Sequence, residues 1–248
     1  MLQTWKRRSV KVCFFILSRF PFLNAITLLM LLGELAVHES YPPINPKVIY
    51  IHLGLFLVCG ALMSGFSGGK SVPLIYAGQL MYFAYNSYSN SNMDRDWLRT
   101  LICARHFACA GVYIGLAYLF DKNSGKQLQQ ISYSVLGIYC LTLIVALNNN
   151  TELYQAFIYH FPVSDVSHVV MNILLGLCSV SLFSGVKQVQ CKTFFTLAIL
   201  MALISLFIDS RLSYWTEYKK VHFWNQIRLI CDQICITIGF ILFGLSSY

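Results

Sequence analysis

Apolar residues run along this chain in eight long blocks, with polar positions confined mostly to the short gaps between them. The blocks cover residues 12–37, 48–66, 72–88, 98–120, 131–147, 166–186, 194–208 and 223–245. A helix rises 1.5 Å per residue, so crossing about 30 Å of hydrocarbon takes roughly 20 residues. The pattern predicts an all-α, polytopic helical membrane protein: one bundle of about eight transmembrane helices, forming a single domain over residues 1–248. The 194–208 block is short. It reads as a thin span or a re-entrant segment, so a seven-span arrangement also stays open.

Composition agrees with the pattern. The chain is 57% hydrophobic and 11% charged, against about 45–50% and about 25% in soluble domains. The loops between blocks are short, and no linker, repeat or soluble domain stands out. Basic residues are biased to one face of an eight-span arrangement. Nine of them, including Lys6, Arg7, Arg8, Lys70, Lys122 and Lys187, share that face with one acid, Asp121. Six on the other face are offset by acids such as Glu39, Asp94 and Glu152. The positive-inside rule then places both termini in the cytosol. The basic N-terminal stretch before residue 12 resembles a secretory signal, but Arg19 interrupts its apolar run, and it reads as an uncleaved first span. Asn149-Asn150-Thr151 is a glycosylation acceptor and falls on the non-cytosolic side, so N-glycosylation at Asn149 is possible there.

Sequence chemistry excludes more than it assigns. Ser64–Ser71 (SGFSGGKS) is one residue short of a phosphate-binding loop and follows a membrane helix rather than a strand. The nine cysteines show neither zinc-ligand spacing nor placement in outer loops, so no metal and no disulfide framework is expected. No nucleophile or metalloprotease pattern is present, and no cofactor is expected. The partners implied are the lipid bilayer and neighbouring membrane proteins, not nucleic acid.

The informative residues are charges where a span should carry none. Arg228 and Asp232 lie in the last block, Arg105 and His106 in the fourth, and Glu34 near the end of the first. His52, His168, Asn172 and Asp209 add polar groups at similar depth in other blocks. Charges in hydrocarbon cost several kcal/mol each, on the order of 3 on insertion scales, and persist when they face the bundle interior and find partners. The expectation is a buried network of Glu34, Arg105, His106, Arg228 and Asp232 in the non-cytosolic half, with His52, His168, Asn172 and Asp209 as additional lining. Two uses compete: ion pairs that fix which helix meets which, and a site for a polar or anionic small molecule, an ion or a lipid headgroup. Small-residue stripes at Gly60, Gly111, Gly115 and Gly176 mark helix contacts, inside the chain or with a partner.

Four stretches carry a family resemblance: SRFPFLNAITLLMLLGELA (18–36), DWLRTLICAR (96–105), LGIYC (136–140) and YWTEYKKVHFWNQIRL (214–229). Together they resemble the transmembrane protein 101 family over nearly the whole chain. The resemblance implies eight spans and an acid, a base, a base and an acid at Glu34, Arg105, Arg228 and Asp232. It also implies a link to activation of NF-kappa-B signalling, with no reaction or cofactor. The sequence therefore points first to a non-enzymatic accessory or signalling-modulator subunit working through membrane partners. The alternative is a small channel or transporter with a polar site in the outer half, and a lipid-modifying enzyme trails both. Its membrane is that of the endoplasmic reticulum or the cell surface.

Overall fold

A computed structural model describes residues 2–37, 46–65, 69–89, 95–120 and 126–246. Some charges used to orient the chain (Glu39, Asp94, Asp121 and Lys122) lie outside these residues, as do residues 66–68 of the glycine-rich turn. The elements are α1 (Leu2–Val37), α2 (Pro46–Ser64), α3 (Ser71–Ser89), α4 (Asp96–Phe120), α5 (Lys126–Asn149), α6 (Thr151–His160), α7 (Ser164–Phe183), α8 (Lys187–Ile204) and α9 (Phe223–Ser246). A π-helical turn, Ser205–Asp209, extends α8, and a second, Tyr214–Tyr218, lies in the loop before α9. No strand occurs among the described residues, and the chain is an all-α, polytopic bundle. In a membrane every backbone polar group must be satisfied within the protein, which leaves helices as the natural solution for such apolar blocks.

Seven of the described helices are long and apolar enough to cross a membrane. The weak block is not the one expected. Residues 194–208 belong to a helix that runs from Lys187 through the π turn to Asp209, 23 residues with a mean hydropathy of 2.2. Counting Lys187 and Lys192 as loop residues had shortened it. The helix that falls short is α3, whose 19 residues include Gln79, Asn86 and four tyrosines. Tyrosine counts as apolar in a block but carries a hydroxyl, so length alone conceals how polar this helix is.

The bundle is organised around α4. Of its apolar window, 78% is buried, against 28% for α7. It packs on α3, α5 and α9, while α9 also packs on α1 and α8. Pro21 sits inside α1 without ending it. Proline has no N–H and frees the carbonyl four residues back, here Leu17. Tyr113 of α4 donates its hydroxyl to that Leu17 oxygen at 2.7 Å. A sequence break in one helix is thus repaired by the central one. Further along the chain, Asn150 caps α6, its side chain accepting from the Glu152 and Leu153 amides at 3.0 and 3.2 Å.

Small residues let backbones approach. A Cβ on Gly239 of α9 would stand 2.5 Å from Cγ2 of Val112 on α4, and one on Gly115 would stand 2.3 Å from the Phe243 ring. Val112 is β-branched and stiff in a helix, so it cannot yield cheaply. Gly60 fits against Phe22 and Gly111 against Val135 in the same manner. These stripes are occupied by contacts within the chain.

Gly239→Ala is expected to lower unfolding free energy in detergent by about 1–3 kcal/mol, the usual cost of overpacking. Gly54→Ala, where a Cβ meets nothing within 4 Å, is expected to leave it unchanged or raise it slightly. Thermal melts of the two variants check this.

Candidate functional site

The site begins where α8 changes pitch. In the π turn the amide of Ser210 bonds back to the Ser205 carbonyl at 2.9 Å, five residues away. The wider turn places Asp209 inward, 2% exposed. π turns often occur at functional sites, because they re-aim a side chain and loosen the carbonyl ladder. Both released functions are used. Gln226 of α9 donates to the Asp209 carbonyl at 2.9 Å, and the Trp215 indole donates to the Ile208 carbonyl at 2.9 Å.

Arg105 faces this turn from α4. It lies nine residues past Asp96, roughly 14 Å along the helix. Its Nη2 donates to Asp209 Oδ1 at 2.7 Å and its Nη1 to the Leu229 carbonyl of α9 at 2.8 Å. One guanidinium therefore joins α4, α8 and α9. Planar geometry and multiple donors make arginine suited to such a buried, forked contact.

A second group lies alongside. Arg228 and Asp232 are one turn apart on α9, and His106 follows Arg105 on α4; all three are buried. His106 Nδ1 is 2.8 Å from the Ile102 carbonyl. A carbonyl only accepts, so Nδ1 carries the hydrogen. The opposite nitrogen, Nε2, is 3.8 Å from Asp232 Oδ2. The Cys109 thiol approaches the Asp232 carbonyl at 3.5 Å and Oδ1 at 3.9 Å. The Arg228 guanidinium lies over the Phe83 ring of α3, 5.2 Å from its centroid. Phe83 also stacks beside His106 at 6.4 Å and meets His52 edge-on at 4.6 Å.

This centre is under-satisfied. Arg105 Nε, Arg228 Nε and Nη2, His106 Nε2, Asp209 Oδ2 and Asp232 Oδ2 are all buried without a hydrogen-bond partner. Buried polar groups are paired in the great majority of cases, and an unpaired one costs free energy.

Around the centre runs a polar ring that charge-based reading missed. Asn24 of α1 donates to the Tyr76 hydroxyl at 2.7 Å, and Tyr76 meets Tyr113 edge-on at 4.5 Å. Tyr139 of α5 donates to Gln233 Oε1 at 3.1 Å, and the Gln233 amide reaches Met201 Sδ at 3.1 Å. Gln79 donates to the His52 carbonyl at 2.8 Å. The signal was present: Asn24, Gln79 and Gln233 are amides in mid-span, neutral and so easily passed over.

The family model for the TMEM101 protein family matches residues 3–245. The chain belongs to this family. No solved structure matches it. As a TMEM101 family protein it is a multi-pass membrane protein.

The structure separates the remaining candidates in this TMEM101 family protein. Glu34 does not touch either arginine. Its two oxygens accept the Phe223 and Trp224 amides at 2.8 and 3.0 Å, with His222 Nδ1 3.8 Å away. It caps the start of α9, where a carboxylate satisfies orphan amides and complements the helix dipole. Asp209, expected only as lining, occupies the place opposite Arg105. His168 and Asn172 form a separate group with Asn148 and the Leu147 carbonyl, at 3.2–3.4 Å. Among the described residues no cluster of His, Cys, Asp or Glu is placed to hold a metal ion. None of the nine cysteines is joined in a disulfide.

Asn149 is exposed at the end of α5, lining a cleft of about 890 Å³ with Arg95, Asp96, Glu152 and Lys219. Lys219 pairs with Glu152 and donates to Gln155 Oε1 at 3.0 Å. Burial disfavours its charge, but the Glu152 carboxylate and two tyrosine hydroxyls outweigh that and raise its pKa. Burial raises the neighbouring Tyr214 as well, against the pull of Lys219.

Asp209→Asn leaves Arg105 a buried cation without its counter-ion, and is expected to cost about 3–5 kcal/mol. Replacing both (Arg105→Met with Asp209→Leu) is expected to recover most of that loss. Chemical unfolding of the wild type and the two variants in detergent measures the difference.

Proposed function

We propose that this protein is an eight-span membrane protein with cytosolic termini that binds a small polar solute or ion in the non-cytosolic half of its bundle, as a small channel or transporter does. One observation carries the reading: Arg228 is buried with Nε and Nη2 unpartnered. A network serving only to fix helix positions would satisfy its members, as Arg105 and Asp209 largely do. Arg228 instead presents two donors beside the face of Phe83, and Asp232 presents a free acceptor one turn deeper. A small anion or polar molecule with an acceptor oxygen for the arginine would complement its two donors. Ionisable groups inside membrane segments commonly mark solute and ion sites.

A second reading is an accessory or signalling-modulator subunit acting through membrane partners, with the link to NF-kappa-B activation that the family resemblance implies. The outward apolar face of α7, where Val166, Val169, Ile173, Leu177 and Val180 are exposed, is where lipid or a partner's helix would lie.

The solute reading makes a stability prediction. Arg228→Met removes a buried cation with no hydrogen-bond partner on Nε or Nη2 but leaves Asp232 without its balancing charge, so it is expected to lower the melting temperature in detergent by less than Asp209→Asn does. Chloride, phosphate, acetate and glycine, tested singly, form the first panel. A binder at 100 times its Kd is expected to stabilise the wild type by about 2.7 kcal/mol and to leave Arg228→Met unmoved. Loss of stability in Arg228→Met equal to that in Asp209→Asn would return Arg228 to a structural role.

A further inference from the structure

The contact between His106 and Asp232 has a feature that an ion-pair description passes over. The Nδ1 hydrogen of His106 is committed to the Ile102 carbonyl at 2.8 Å, so in the neutral ring Nε2 carries only a lone pair. That lone pair faces a carboxylate oxygen at 3.8 Å, and neither atom has another partner. Both side chains are 0% exposed. Two acceptors thus confront one another in a low-dielectric interior, where their repulsion is least screened. The gap does not suit a bridging water, since two hydrogen bonds of about 2.8 Å at a tetrahedral angle span roughly 4.5 Å. It exceeds a direct hydrogen bond by under an ångström, within reach of a small side-chain rotation. What makes the contact favourable is one proton.

We propose that His106 and Asp232 together form an intramembrane proton-binding site that takes up a single proton from bulk water and holds it between Nε2 and Oδ2. With the proton bound, one group donates to the other and the pair draws together. With it released, the carboxylate turns to the hydrogen-bond donors around it. The proposal rests on the solute-site reading in placing the proton beside the cation that would hold the solute, Arg228.

The surroundings determine what the proton is exchanged against. On α9, Arg228 lies one turn above Asp232 and Cys235 one turn below. On α4 the neighbours are Arg105, Cys109 and Tyr113; α3 contributes Tyr76, α5 contributes Tyr139, and the π turn of α8 contributes Asp209, already held by Arg105. Among the described residues of α1, uncharged Asn24 approaches the pair, through Tyr76. Arg228 and Asp232 feel each other's charge, as do Arg228 and His106. When Asp232 is ionised and His106 neutral, Arg228 is balanced by the carboxylate. Adding a proton leaves one uncompensated positive charge, which an anion or the acceptor end of a polar solute offsets. Proton and solute then favour each other's binding, the relation a proton-coupled carrier requires.

The full chain in lipid nanodiscs, titrated in pH and followed by infrared difference spectroscopy without any solute, tests the site directly. The expected result is a titrating protonated-carboxyl or imidazolium signal that disappears in both His106→Gln and Asp232→Asn. Losing the signal in only one variant, or retaining it in both, overturns the shared site. Should Asp232→Asn fail to fold, His106→Gln alone decides: an unchanged wild-type titration overturns the proposal. Failure of the solute reading is separable, because it appears as the absence of Arg228-dependent stabilisation by the anion panel. A titrating pair with no solute effect leaves the proton site standing alone.

Discussion

A charge buried in a membrane protein must find its counter-charge inside the bundle, and in this chain Arg105 and Asp209 meet that requirement. The 2.7 Å contact between them joins α4, the most enclosed of the candidate spans, to the π turn that ends α8. The second arm of Arg105, on the Leu229 carbonyl, adds α9. Three helices distant in sequence are thereby fixed in depth relative to one another. That fixed depth brings His106, the residue after Arg105, level with Asp232. Buried pairs contribute less to net stability than their Coulomb attraction implies, because desolvation offsets much of it. Their effect is better described as specifying one arrangement over others.

Against that background the second group is notable for being incomplete. Arg228 and Asp232 stand a single turn apart and yet make no direct bond, while Phe83 takes the guanidinium on its face. His106 and Asp232 meet acceptor to acceptor. Helices α4 and α9 thus share in one directly bonded ion pair and hold one group whose charged members meet no direct hydrogen-bond partner on Arg228 Nε and Nη2, His106 Nε2 or Asp232 Oδ2. Stability spent without structural return is usual at functional sites. The polar ring of Asn24, Tyr76, Tyr113, Tyr139 and Gln233 is hydrogen-bonded among the surrounding helices, so the group is set among rigid helices rather than on loops.

Much of this was legible in the chain, and the failures share a cause. Arg228, Asp232, Arg105 and His106 announced themselves as charges within apolar blocks, and depth could be counted from helix starts at 1.5 Å per residue. Depth does not give azimuth. Glu34 and Asp209 both lie near the ends of their helices, and only packing decides that one caps α9 while the other meets Arg105. The π turn leaves no mark in the hydrophobic pattern, since it shifts hydrogen bonds by one residue without changing composition. Pro21 signalled a break, but its repair by Tyr113 is a tertiary event. In α3, tyrosine disguised polarity, while in α8 two lysines disguised helix.

An experimental density map of the protein in a lipid nanodisc, resolved well enough to place side chains at the centre of the bundle, tests the account most directly. The account predicts the Arg105 guanidinium on Asp209, and non-protein density within hydrogen-bond reach of Arg228 Nε and Nη2. Arg105 and Asp209 apart and facing lipid, or an Arg228 bonded wholly by protein groups, would contradict it.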